Sequence, residues 1–155
     1  GEWFIFVDAD TLVHDPRVRL ALQAMRGGAV GGGTVVRFDG AMPLYARVMV
    51  PVVVKLLQTS RLAAGCFLFC TRTAFEAVGG FDESCYAAEE LVLSRSLKRQ
   101  GRFVILREAV HTSARKLHTF SMWEHLKLVL RFAWRRQHLL TSREHLDLWY
   151  GKRRD

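Results

Sequence analysis

Residues 3–11 read WFIFVDADT, a stretch in which an uninterrupted apolar run stops abruptly at a pair of aspartates. Five consecutive apolar residues, Trp3 to Val7, are typical of a strand that is buried on both faces. Ligands of open α/β sheets bind outside the carboxyl ends of the strands. The stretch therefore predicts a strand that presents Asp8 and Asp10 to a ligand where it ends.

Signals for strands and helices alternate along the chain after this stretch. Asp15-Pro16 predicts a helix N-cap followed by proline at the first helical position, and Gly27-Gly28 predicts the end of that helix. Later strands are predicted over residues 29–38, 65–71 and 102–110, and later helices over residues 45–58, 73–78 and 87–100. The alternation predicts an α/β fold with a mostly parallel sheet and flanking helices.

The predicted helix over residues 45–58 is rich in β-branched valines. Its length of about 14 residues exceeds that of most strands, which favours a helix over a strand. We expect this helix to be buried and to be kinked at Pro51.

Half of the 155 residues are apolar and a quarter are charged, the ordinary mixture of a compact globular domain. The longest apolar run, residues 48–54, is far shorter than the roughly 20 residues that cross a bilayer. Cys66 and Cys70 would lie about 13 Å apart along a strand, too far for a disulfide. With Cys85 the chain has three cysteines, an odd number. The first residues also lack the basic segment that opens a secretory signal. We therefore expect reduced thiols and a cytoplasmic chain.

The net charge of +8 is concentrated near the carboxyl end, where residues 111–155 contain ten Lys and Arg against four Asp and Glu. Residues 118–155 predict amphipathic helices packed on residues 1–117, because four apolar residues recur at helical spacing: Trp123, Leu126, Leu130 and Trp134. Alternatively, this tail makes a peripheral membrane contact on the cytoplasmic face. A basic nucleic-acid-binding module is a further alternative, but the chain has no RRM, KH, zinc-finger or helix-turn-helix signature, so we expect no nucleic-acid partner.

Asp8 and Asp10 are the sharpest chemical signal in the sequence. Two carboxylates one residue apart form the hard oxygen site that Mg²⁺ or Mn²⁺ prefers, with waters and substrate phosphates completing the coordination. Alternatively, the two aspartates only cap the following turn. A haloacid-dehalogenase-type phosphatase is a second alternative, because its strand is followed by Asp-x-Asp-x-Thr, but here Thr11 comes one residue early.

Three blocks of sequence extend this signal over most of the chain: FVDADT at 6–11, GCFLFCTRTAFEAVGGFDES at 65–84 with AEELVLSRSLKRQGR at 88–102, and VHTSARK at 110–116. In this order they resemble the family 2 glycosyltransferases of GT-A fold. The resemblance implies an incomplete GT-A domain in which residues 1–117 form the metal- and acceptor-binding half. The nucleotide-binding half would lie upstream, so we expect weak or no turnover from these residues alone. A non-catalytic glycosyltransferase remnant is an alternative.

The resemblance implies transfer of a sugar from a nucleotide-diphosphate donor to an acceptor hydroxyl, lipid-linked or on a polysaccharide, with inversion at the anomeric carbon. Asp10 would ligate the divalent metal, and Asp8 would contact the donor ribose or a metal-bound water. His111 would be a further metal ligand or, alternatively, an ordinary histidine at a strand end. Arg115 and Lys116 would grip the donor diphosphate, or are ordinary surface charges.

An inverting transfer also needs a general base for the acceptor hydroxyl. Glu90 matches the position of that base, where the family usually carries aspartate, so this chain keeps the carboxylate with one extra methylene. Glu89, Gly80 and Asp82 would lie on the acceptor side, with Asp82 either touching the acceptor or bracing its loop. Alternatively, Glu89 and Glu90 only complement the dipole of the helix that they open.

Overall fold

A computed structural model describes residues 1–63, 66–82 and 89–114. Within these ranges strands and helices alternate, in the order β1 (Trp3–Val7), β2 (Thr11–Leu12), α1 (Asp15–Arg26), β3 (Gly31–Asp39), α2 (Leu44–Ser60), β4 (Phe67–Thr71), α3 (Arg72–Ala77), α4 (Glu89–Gln100) and β5 (Phe103–Ser113). The predicted α/β class is confirmed. The predicted helical tail over residues 118–155 lies outside the described residues, as does Cys85.

The five strands form one open sheet in the order β1-β4-β3-β5-β2. Strands β1, β3 and β5 run in the same direction, because β4 is antiparallel to both β1 and β3 while β3 and β5 are parallel. The prediction of a mostly parallel sheet is wrong, since the other described strand pairs are antiparallel and the sheet is mixed. The apolar run of β4 could not reveal this, because a buried strand is apolar whichever way it runs.

Helices cover both faces of the sheet. Helix α1 packs on one face through Ala21 and Met25. Helix α4 packs on the other face through Leu93 and Leu97. Strand β4 lies between these two layers, and successive residues over 67–70 face alternate layers and are all fully buried. The core is therefore built around β4. Packing against β4 fixes the position of α4 relative to the strands of the sheet.

The glycines at positions 31–33 let β3 fit closely between its neighbours. A Cβ atom on Gly33 would lie 2.6 Å from the Cβ atom of Ala63 and 3.1 Å from the carbonyl oxygen of Phe67. A Cβ atom on Gly32 would collide with a backbone carbonyl of β5. Close packing of the layers therefore requires glycine in this strand.

Helix α2 is present, but it is not buried as predicted. Ala46 is its buried residue, and four large apolar side chains of the helix are exposed: Leu44, Val48, Val52 and Leu56. Pro51 lies inside the helix. A helix that connects two parallel strands packs along the sheet. Here α2 leaves most of its surface uncovered, and the strand that follows it, β4, runs antiparallel to β3. Among the residues that the structure describes, no helix is both long and apolar enough to cross a membrane.

Helix α1 begins at Asp15, so His14 rather than Asp15 occupies the N-cap position. His14 makes no side-chain capping hydrogen bond. Asp15 instead forms an exposed ion pair with Arg19 at 3.5 Å, one helical turn further along. The predicted N-cap is therefore wrong by one residue, a shift within the usual variation of helix ends.

Candidate active site

The carboxyl ends of β1, β3 and β5 lie at one edge of the sheet, because these three strands run in the same direction. We call this the carboxyl edge. Asp8 follows β1 directly. Its carbonyl oxygen accepts a hydrogen bond of 3.0 Å from the N–H of Thr11, which closes a tight turn over residues 8–11 that contains Asp10; we call it the aspartate turn. Both aspartate side chains are exposed. The structure thus places the predicted Asp8–Asp10 pair at the edge where ligands bind in open α/β sheets.

The sheet curls so that the aspartate turn is held at both ends. Strands β1 and β2 stand at opposite ends of the strand order, yet residues 8–10 alone join them. Such a link reaches at most about 14 Å, less than the roughly 19 Å between the first and fifth strands of a flat sheet. A register shift between Thr34 and Val35 breaks the regular β3–β5 ladder. Thr11 then pairs with Thr112, which brings the end of β5 against the turn.

Three carboxylates act electrostatically on the thiol of Cys66, the residue before β4. The N–H of Asp8 donates a hydrogen bond of 3.4 Å to the carbonyl oxygen of Cys66. Burial raises the pKa of the Cys66 thiol to about 12, and the negative charges of Asp8, Glu90 and Asp10 add to that rise, against a backbone hydrogen bond that lowers it. Asp8 and Asp10, two of the three residues predicted to bind metal, and Glu90, the residue predicted to be the base, are therefore within electrostatic reach of one atom.

The start of α4 distinguishes the two predicted glutamates. Glu90 is half-buried and its charge reaches Cys66, whereas Glu89 is exposed. The helix is fixed by Ser94, which is fully buried and whose Oγ accepts a hydrogen bond of 3.2 Å from the N–H of Ala63. Of the two glutamates, Glu90 is therefore the one whose charge acts on the same thiol as Asp8 and Asp10.

The segment that carries Gly80 and Asp82 is held beside the end of β1. Gly80 adopts a φ of 77°, a left-handed conformation that favours glycine. The next residue, Phe81, packs edge-on against Phe6 with ring centroids 4.9 Å apart. This contact holds Phe81, the residue before Asp82, against β1. The predicted donor-binding residues Arg115 and Lys116 lie outside the described residues.

His111 has a partner that the sequence did not reveal. Its Nδ1 atom lies 2.7 Å from Oδ1 of Asp39, the last residue of β3, and both side chains are partly exposed. In the sequence Asp39 is followed by Gly40, a pair typical of turns. The rule that singled out Asp8 could have found it, since Asp39 also ends a strand at the carboxyl edge. Whether His111 also ligates a metal stays a prediction.

The donor set at the carboxyl edge suits a hard divalent cation bound jointly with a substrate. Among the residues that the structure describes, no group of three or more His, Cys, Asp and Glu could hold a metal ion by itself. Mg²⁺ and Mn²⁺ sites in nucleotide-dependent enzymes commonly use one or two carboxylates, with waters and phosphate oxygens as the other ligands. The exposed carboxylates of Asp8 and Asp10 fit that arrangement.

Comparison with known proteins identifies no relative. No known protein family matches the chain, and no curated protein matches it significantly. The class that the structure defines is an α/β protein with a mixed open sheet and helices on both faces. Such folds host many unrelated activities, so the function has to be inferred from the residues at the site.

Proposed function

We propose that the chain forms the metal- and acceptor-binding part of an inverting glycosyltransferase that moves a sugar from a nucleotide-diphosphate donor to an acceptor hydroxyl. The observation that carries the proposal is that Asp8, which is hydrogen-bonded to the backbone of Cys66, acts together with Asp10 and Glu90 to disfavour the thiolate form of Cys66 and so raise its pKa. The resemblance to family 2 glycosyltransferases supplies the reaction class, and the GT-A fold is part of the proposal.

Asp8 and Asp10 would hold Mg²⁺ or Mn²⁺ together with the donor diphosphate. A bound divalent cation supplies Lewis acidity that offsets the charge developing on the leaving diphosphate. The two carboxylates lie on a turn that is fixed by the β1–β4 and β2–β5 pairings, so their separation is set before the donor arrives. His111, oriented by Asp39, would contribute at the β5 side of the same edge.

Glu90 would act as the general base. Its carboxylate would take the proton of the acceptor hydroxyl while the hydroxyl oxygen forms a bond to the anomeric carbon. The bond from that carbon to the diphosphate oxygen breaks on the opposite face, and the configuration inverts. Gly80, Asp82 and Glu89 would lie on the acceptor side of the base.

A transfer assay with matched variants tests the proposal. Because the resemblance implies that donor binding needs a nucleotide-binding half, the assay uses a chain that carries this half together with residues 1–155. It is incubated with a panel of UDP-, GDP- and dTDP-sugars and hydroxyl acceptors, with and without Mn²⁺. Glu90→Gln removes the base and keeps the shape, so we expect kcat to fall by about 10² to 10⁴. Glu89→Gln makes the same change at the exposed neighbour; since Glu89 is placed on the acceptor side and is not the base, this variant should raise the KM for the acceptor and leave kcat within about threefold of the wild type.

The proposal fails if Glu90→Gln and Glu89→Gln reduce transfer equally, or if transfer proceeds at the same rate after chelation of divalent cations. Binding of Mn²⁺ and a nucleoside diphosphate without any transfer would instead indicate a non-catalytic glycosyltransferase remnant. In that case Asp10→Asn should abolish Mn²⁺ binding, as followed by the electron paramagnetic resonance of free Mn²⁺.

A further inference from the structure

Helix α2 carries an uncovered apolar stripe along its whole length. The stripe consists of Leu44, Val48, Val52 and Leu56, which are 81%, 71%, 65% and 55% exposed. Their spacing of four residues keeps them on neighbouring positions of one helix face, over about 18 Å. A contiguous exposed apolar surface of this kind usually marks a contact with another molecule or with a membrane.

The charge of α2 has a single sign. Arg47, Lys55 and Arg61 are all exposed, and residues 44–61 contain no Asp or Glu. On a helical projection Arg47 lies beside the stripe, about 60° from Leu44, whereas Lys55 falls within it, between Leu44 and Val48. The exposed face of the helix therefore combines an apolar stripe with basic residues, and at a membrane interface the aliphatic stem of Lys55 can lie along the apolar surface while its ammonium group reaches the anionic head groups.

Charge complementarity distinguishes the molecules that could cover this face: a second copy of the chain, its own carboxyl-terminal residues, or a lipid surface. A second copy of the chain would bring two basic helices together. The carboxyl-terminal residues of the same chain are basic as well, with ten Lys and Arg against four Asp and Glu over residues 111–155. An anionic lipid surface attracts the basic residues of α2 while its acyl region accepts the apolar stripe.

We infer that the exposed face of α2 docks on a membrane surface that contains anionic lipid, with the helix lying in the plane of the interface. The opposite face of α2 attaches the helix to the rest of the protein, because Ala46 is buried against Ala114, which directly follows β5. The helix therefore starts beside the carboxyl edge, and docking brings the candidate active site close to the lipid surface. The inference does not depend on the proposed transferase activity.

Vesicle flotation of the full chain tests the inference. The probes are vesicles of phosphatidylcholine alone and of phosphatidylcholine with about one third phosphatidylserine. We expect binding about tenfold stronger to the anionic vesicles, decreasing at high salt because the basic residues of α2 are screened. The double variant Val48→Glu/Val52→Glu should weaken binding at least about tenfold, since two acids replace two inserted apolar groups. Leu12→Glu introduces one acid at an exposed apolar residue outside α2 (64% exposed), so it should weaken binding far less than the double variant.

A fluorophore at the stripe gives a second readout that does not depend on a disruptive variant. Val48→Cys labelled with an environment-sensitive dye should shift to the blue on anionic vesicles, and labelled Leu12→Cys, which lies outside the inserted stripe, should shift less. Equal flotation on both vesicle types, or unchanged flotation of the double variant, would overturn the inference. So would a lower Tm of the double variant without a change in flotation, which would show that the chain itself covers the stripe. A concentration-dependent mass that the double variant abolishes would assign the face to a second copy and overturn it as well.

Discussion

Cys66 and Cys70 are a matched pair of thiols with different surroundings. Burial raises the pKa of each to about 12. For Cys66 the carboxylates of Asp8, Glu90 and Asp10 add to the effect of burial, whereas for Cys70 burial is the cause. Both cysteines are free. Cys66 can therefore report the charge at the candidate site, and Cys70 serves as its internal control.

Neutralising a carboxylate next to Cys66 should lower the pKa of its thiol. Asp8→Asn removes a negative charge that disfavours the thiolate, so a larger fraction of Cys66 is ionised at a given alkaline pH. We expect alkylation of Cys66 to accelerate by about two- to tenfold while Cys70 is unaffected. Site-resolved mass spectrometry of iodoacetamide-treated protein measures both thiols in one sample. Saturating Mn²⁺ should act in the same direction on the wild type if Asp8 and Asp10 bind it.

An equal acceleration at both cysteines would mean that the substitution loosens the core rather than changes the local charge. No change at Cys66 would mean that Asp8, the strongest of the three carboxylate influences, does not act on it, and the proposed site would lose its main support.

At the scale of the elements, β3 depends on the absence of side chains at positions 31–33. Gly33→Ala would place a methyl group 2.6 Å from the Cβ atom of Ala63. We expect this overpacking to lower the free energy of unfolding by about 1 to 3 kcal/mol, measured by urea denaturation.

Ala63→Gly removes the methyl group that the new side chain meets, so it should restore part of the stability that Gly33→Ala loses. In a double-mutant cycle this appears as a coupling energy of about 0.5 kcal/mol or more between positions 33 and 63. Strictly additive effects would show that the carbonyl oxygen of Phe67, and not Ala63, is the group that excludes a side chain at position 33.

Element boundaries were more predictable from the sequence than element surroundings. The strand Trp3–Val7 and the helix containing Pro51 were both expected, because apolar runs and segment length depend on local residues. The direction of β4 and the exposure of α2 were not, because both depend on what lies beside the element in space. An apolar segment predicts burial only if another layer covers it, and α2 has an uncovered apolar stripe.

At the candidate site, too, the residues could be predicted from the sequence and their surroundings could not. Asp8, Asp10 and Glu90 could be proposed together from motif order alone, since each follows or opens a regular element. Their convergence depends on the curl of the sheet and on the packing of α4, which no local pattern encodes. The pairing of His111 with Asp39 was missed because the two residues are 72 positions apart in the chain.

At the scale of the whole molecule, the two buried thiols couple folding to pH. Their pKa rises from an ordinary value of 9.0 to about 12 on folding. Below pH 9 both states are protonated, and the stability is fully present. As the pH rises from 9 toward 12, the unfolded chain releases these protons and the folded chain does not, so the free energy of unfolding falls.

We expect the stability to decline steeply above pH 9, with each thiol contributing on the order of 4 kcal/mol at most by pH 12. Urea denaturation at a series of pH values around and above 9 measures the slope. Other groups also titrate in this range, so the comparison is with Cys66→Ala/Cys70→Ala, which keeps the packing similar and removes both thiols. The double variant should show a flatter decline above pH 9, whatever its stability at neutral pH. A decline as steep as that of the wild type would mean that the thiols become exposed to solvent before the protein unfolds, and that the core around β4 opens locally at alkaline pH.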